Sequence, residues 1–121
     1  MDGNRTAIRH LKSIRDCAVE MERALSRGHL KSLAPIFARE WKARKQLAPN
    51  ISTPQMDRLM RAAQKKGALA GKVCGAGGGG CVAFIVPPAK KQSVMEELTS
   101  KGGKVLPFRF VSRGLRCQAP A

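Results

Sequence analysis

The sequence has no tyrosine, a single tryptophan and four phenylalanines among 121 residues. A core must therefore be built from aliphatic side chains, and no row of aromatics is available on which nucleic-acid bases could stack. Acidic residues are equally scarce: eight Asp and Glu stand against 23 Lys and Arg, for a formal charge of +15. That balance favours anionic partners such as phosphorylated small molecules, nucleic acid or an acidic protein surface. The cations are spread from Arg5 to Arg116, and the few aromatics are not interleaved with them as a stacking platform for bases would require, which argues against direct nucleic-acid binding. Cysteine pairs at metal-binding spacing are also missing. Cys17, Cys74, Cys81 and Cys117 form no Cys-x-x-Cys, and neither His10 nor His29 completes a zinc pattern, so buried thiols are expected and no metal site. No run is long and apolar enough to span a membrane, and the polar opening Met1-Asp2-Gly3-Asn4-Arg5 does not read as a signal peptide. A cytoplasmic protein is expected.

What is present fits one domain, residues 1–121, long enough to bury roughly two thirds of the surface of its unfolded chain. From Thr6 to Arg27, Ile8, Leu11, Ile14, Ala18, Met21 and Leu25 draw one stripe at helical spacing, and Gly28 stops that helix. A second helix starts near Ser32 as cap, with Leu33, Phe37 and Trp41 inward, and ends in the basic run Lys42-Ala43-Arg44-Lys45. Cations in a last turn follow from the helix dipole without any ligand. Ser52 or Thr53 caps a third helix that has Pro54 in its first turn and carries Met56, Leu59, Met60 and Ala63; Ser52 with Gln55 also fits a capping box. That helix ends at Lys65-Lys66-Gly67. Cys81 to Val86 reads as a strand buried on both faces, Lys90 to Lys101 as an amphipathic helix, and Leu106, Phe108 and Phe110 as a final half-buried strand. Three helices, a strand pair, a helix and a strand make an α+β domain.

The stretch that needs a reason is Gly75-Ala76-Gly77-Gly78-Gly79-Gly80, held between β-prone runs. Each ordered glycine loses more chain entropy than an alanine would. A Walker A loop is excluded because Gly67 to Gly71-Lys72-Val73 is one residue short and lacks the hydroxyl. A dinucleotide fingerprint is formally present as Gly75-x-Gly77-x-x-Gly80, with Glu96 about twenty residues on. It must open a helix, whereas Cys81-Val82-Ala83-Phe84-Ile85-Val86 is rich in strand formers. There remains a glycine loop between two strands, either a flexible hairpin connection or a set of backbone N–H groups able to cradle an anion.

The stretch from Gly67 through Lys72 to Cys81 resembles the third conserved motif of the GHMP small-molecule kinases, in particular the sugar-kinase branch with heptose 7-phosphate kinases and fucokinase-like enzymes. Trp41 and the basic residues after it, Pro49-Asn50-Ile51-Ser52-Thr53-Pro54 and Pro107-Phe108-Arg109-Phe110 are similar to that branch too. At Ala70 the branch more often has another glycine, and Cys74 and Cys81 occupy variable positions. The resemblance implies a GHMP kinase C-terminal (ferredoxin-like) domain of order ααα-ββ-α-β, an antiparallel sheet covered by helices. It implies ATP-dependent phosphorylation of a sugar or sugar-phosphate hydroxyl with Mg2+. It also implies an N-terminal domain or split subunit bearing the Gly-Leu-Gly-Ser-Ser-like ATP loop and the catalytic carboxylate, which residues 1–121 do not contain. On that reading Gly75, Ala76, Gly77, Gly78, Gly79 and Gly80 line the ATP and substrate side, and Lys72 either adds positive charge or is equally well a solvated side chain.

No catalytic residue is assigned here, since Asp57 sits where a helix start accounts for it and Glu96-Glu97 on an open helix face. The isolated chain is expected to be inactive and to leave an apolar face bare for its partner. The competing expectation is a non-catalytic basic module that binds nucleic acid or another polyanion.

Overall fold

A computed structural model describes residues 2–75 and 77–120. Its elements are helix α1 (Asp2–Ser26), a 3₁₀ turn (Leu30–Ser32), α2 (Leu33–Lys45), α3 (Pro54–Lys65), strands β1 (Ala70–Cys74) and β2 (Cys81–Ile85), a second 3₁₀ turn (Pro88–Lys90) and α4 (Lys91–Ser100). The two strands form one antiparallel sheet, registered from Ala70 opposite Ile85 to Cys74 opposite Cys81. The α+β expectation stands.

Three helices end the same way. After α1, α3 and α4, a glycine at positive φ (Gly28, Gly67 and Gly102) is followed by a residue whose N–H reaches back to the carbonyl of Ala24, Ala63 or Leu98. This double-bonded cap satisfies the last carbonyls and turns the chain sharply. At the start of α3, Thr53 Oγ1 accepts from the N–H of Met56 at 3.2 Å. Ser52 plays another part, donating its hydroxyl to Asp57 Oδ1 at 2.5 Å, so the capping box with Gln55 does not form. Nor does Ser32 cap α2 with its side chain; the 3₁₀ turn leads directly into that helix.

The core lies in three clusters. Cys17 and Ala24 of α1 pack on Ile36 of α2, with Met21 and Leu33 alongside, and Arg39 pairs with Glu20 across the same seam. The buried stripe of α1 is thus rotated by a residue: Cys17 and Ala24 are buried, whereas Ala18 and Leu25 are exposed. Ile8, Leu11, Val19 and Leu25 remain bare, at 43–55% exposure. The second cluster joins Trp41 of α2, Met56 and Met60 of α3 and Val73 of β1. The third joins Ala63, Ala68 and Val94 of α4, and Phe84 of β2 touches both. Phe84 lies opposite Gly71, and a Cβ at position 71 would stand 2.8 Å from its ring. Only a residue without a side chain leaves room for that aromatic.

Two strand expectations need correction. β2 is a half-buried member of a two-stranded ribbon, not a central strand buried on both faces. The strand expected over Leu106 to Phe110 does not form among the described residues, so the order is ααα-ββ-α without the last β. Leu106, Phe108 and Phe110 are 54%, 81% and 94% exposed, and the two Phe rings meet edge to face at 5.7 Å. Alternation marks a face that needs cover, but a strand also needs an edge to pair with, and Pro107 removes a donor in the middle of the run.

Val73 is fully buried beside the lone tryptophan. Val73→Ala is expected to cost about 2–3 kcal/mol, read as a lower urea midpoint in Trp41 fluorescence. The burial of Cys17 pushes its thiol above the ordinary value of 9.0. In the folded chain, an irreversible alkylating reagent such as iodoacetamide should label Cys74, Cys81 and Cys117, which are exposed, and reach Cys17 only on unfolding.

Candidate functional site

The loop from Gly75 to Gly80 joins β1 to β2 at the end of the ribbon. Its described glycines all have positive φ: Gly75 at 89°, Gly77 at 91°, Gly78 at 75°, Gly79 at 152° and Gly80 at 94°. L-residues rarely adopt that region, so the glycine run is a requirement of backbone handedness. Ala76 lies outside the described residues. At Gly75, Gly79 and Gly80 an added Cβ would meet open space, leaving the backbone accessible to an approaching group. Gly77 differs, because a Cβ there would come within 2.7 Å of the carbonyl oxygen and Cγ2 of Ile51.

Two anchors hold the loop. The N–H of Gly78 donates to the carbonyl of Ile51 at 2.9 Å, fastening the loop to the connector that enters α3. That amide is therefore engaged within the protein. At the other end, Arg44 Nη1 donates to the carbonyl of Gly75 at 3.3 Å.

Behind Arg44 stands a buried acid. Glu40 is only 7% exposed. Its Oε1 accepts from Arg44 Nε and Nη2 at 2.7 and 2.5 Å and faces Lys72 Nζ at 3.2 Å; its Oε2 is buried without a hydrogen-bond partner among the described residues. Lys72 also lies over the Phe37 ring, 5.8 Å from its centre. Lys72 is thus paired within the protein, although one carboxylate against two cations leaves one positive charge on the trio. The basic run of α2 is likewise spoken for in part: Arg44 serves Glu40, and Lys45 lies over Trp41 at 5.6 Å. Beside this group an open cleft of about 540 Å³ runs between α1, α2 and β1, with Ile14, Met21, Leu25 and Phe37 among its apolar walls and Glu40 and Lys72 at its polar end.

Glu40 and Arg44 were not singled out as site residues from the sequence. The available signal is spacing, since Ile36, Glu40 and Arg44 recur every four residues on one face of α2, so an acid falls on the inward stripe. The remaining acids behave as their positions suggest. Asp57 accepts from Ser52 in the first turn of α3, Glu96 is exposed and bonded to Gln92, and Glu97 pairs with Lys101 at 3.9 Å. Because β2 and not a helix follows the loop, the dinucleotide fingerprint is a coincidence of spacing. No helix among the described residues is long and apolar enough to cross a membrane.

The profile described as GHMP kinases C terminal matches residues 21–104. The chain belongs to the GHMP kinase family. It is 31% identical over 114 residues to the D-glycero-alpha-D-manno-heptose 7-phosphate kinase of Campylobacter jejuni, an alignment covering 94% of this chain and 34% of that kinase. It is 37% identical over 71 residues to a mevalonate kinase of Thermococcus onnurineus, covering 59% of this chain and 21% of the relative. A mevalonate kinase of Methanocaldococcus jannaschii is 35% identical over 63 residues, 52% of this chain and 20% of the relative. The chain thus spans about a third or less of the length of these GHMP kinases, and its fold is that of the family's C-terminal domain.

Glu40→Ala leaves two cations facing each other with no counter-charge. It should cost about 2–3 kcal/mol, below the fully buried case because the side chains of Arg44 and Lys72 remain 25% and 21% exposed. Arg44→Ala, which leaves Lys72 to balance the acid, should cost clearly less in the same urea titration.

Proposed function

We propose that residues 1–121 are the C-terminal part of an ATP-dependent GHMP-type kinase that phosphorylates a hydroxyl of a sugar or sugar phosphate. The glycine loop forms one wall of the site, and an N-terminal domain or split subunit outside this segment supplies the ATP-phosphate loop and the catalytic groups. The observation that carries the reading is the loop itself: a left-handed glycine backbone, open at Gly75, Gly79 and Gly80 and anchored by Ile51 and Arg44. A sugar is favoured over mevalonate because similarity to the heptose kinase extends over 94% of the chain, against 59% for the Thermococcus onnurineus mevalonate kinase.

Phosphoryl transfer from ATP to a hydroxyl is catalysed mainly by positioning and by stabilising charge on the transferring group. Backbone N–H groups of an ordered glycine loop suit that task, because they approach phosphate oxygens closely and need little reorganisation during the reaction. The open space at Gly75, Gly79 and Gly80 fits a nucleotide or substrate phosphate lying against the backbone. Mg2+ is a different matter. No three potential metal-ligating side chains cluster among the described residues, so these residues do not make a cradle for the ion. Glu40 and Arg44 act from behind, holding the carbonyl of Gly75 and with it the start of the loop.

The test joins this chain to the upstream part of the Campylobacter jejuni heptose kinase in place of that enzyme's own C-terminal region. The isolated chain, given ATP, Mg2+ and a panel of sugars and sugar phosphates, should show no turnover. The folded chimera should phosphorylate heptose 7-phosphate, and Gly77→Ala should lower its kcat/KM by at least about tenfold, since a displaced loop misplaces the reacting groups. Turnover by the isolated chain, or a folded chimera indifferent to Gly77→Ala, contradicts the proposal.

A further inference from the structure

Two of the four cysteines stand at the neck of the glycine loop. Cys74 is the last residue of β1, Cys81 the first of β2, and the register places them directly opposite each other. Both are exposed free thiols. Directly opposed residues of an antiparallel pair share a face, with Cα atoms about 4.5 or about 5.5 Å apart depending on the type of pair. Both separations lie inside the window of about 4.4–6.8 Å that a disulfide spans. The remaining cysteines have no such opposition: Cys17 is buried between α1 and α2, and Cys117 is exposed in the segment after α4.

We infer that Cys74 and Cys81 form a redox-active pair, oxidised by small-molecule disulfides such as oxidised glutathione to a cross-strand disulfide that closes the neck of the glycine loop. The thiolate of one cysteine attacks a sulfur of the glutathione disulfide, giving a protein–glutathione mixed disulfide and releasing one glutathione, which takes up the first proton. The thiolate of the other cysteine then attacks the protein sulfur of that mixed disulfide. The Cys74–Cys81 bond forms as the second glutathione leaves with the second proton. Two electrons pass from the cysteine pair to the oxidant, and excess reduced thiol reverses both steps. The ribbon already holds the two cysteines opposite each other, so the second step outruns capture by another protein molecule or a second glutathione.

The disulfide would act on a loop whose described residues are glycines and so carry no side chains to restrain it. Among the described residues between the two cysteines, Gly78 and Gly75 carry the anchors described above, and a covalent neck prevents the strand ends from splaying when those bonds open.

Oxidised glutathione is added to the Cys117→Ser chain at two protein concentrations, with mass spectrometry and peptide mapping as the readout. The expected product is a monomer lighter by two hydrogen atoms, with Cys74 joined to Cys81, formed at a rate independent of protein concentration and returned to the free thiols by dithiothreitol. The Cys74→Ser, Cys117→Ser chain should instead keep one glutathione on Cys81. Stable glutathione adducts on both Cys74 and Cys81, or covalent dimers in place of the internal bond, would overturn the inference.

Discussion

One carboxylate oxygen, Glu40 Oε1, draws together the guanidinium of Arg44 on α2 and the ammonium of Lys72 on β1. A buried acid is costly to desolvate, and two cations at hydrogen-bonding distance offset that cost only when all three are held in place. The arrangement therefore ties α2 to the strand and sets how the two meet. Because Arg44 also reaches the carbonyl of Gly75, the same knot sets where the glycine loop begins. The other oxygen of Glu40 has no hydrogen-bond partner among the described residues, so the group is tuned for placement more than for maximal stability.

Local features of the chain were readable because their causes are local. The glycines after α1, α3 and α4, Pro54 in a first turn, Thr53 as a possible cap and the strand-forming residues flanking the loop act within a few residues of themselves. Features that depend on a distant partner were not. The stripe on α1 could be rotated by a residue until Ile36 was known to pack on Cys17 and Ala24. Lys72 looked like a free cation because its counter-charge lies on α2, well upstream. Leu106, Phe108 and Phe110 alternate as a strand does, yet alternation specifies a face and says nothing about an available edge.

The candidate site is mostly backbone, which is why the conformation of its loop was legible and what fastens it was not. Glycine identity announces left-handed conformation directly, and the five described glycines of the loop have it. What fastens the loop is invisible in the motif: the carbonyl of Ile51 belongs to a connector, and Arg44 belongs to a helix whose basic end has an ordinary dipole explanation.

The order in which the elements pack has a consequence for how the chain comes apart. α2 lies against β1 across the intervening α3, while α3 lies against α4 across the intervening ribbon. The two packings are interleaved along the sequence, like clasped fingers, so a break in the connector between α3 and β1 separates members of both. Helix α1, by contrast, packs mainly on α2, the helix next to it in sequence. It can detach first, leaving the interlocked remainder to unfold as one cooperative unit.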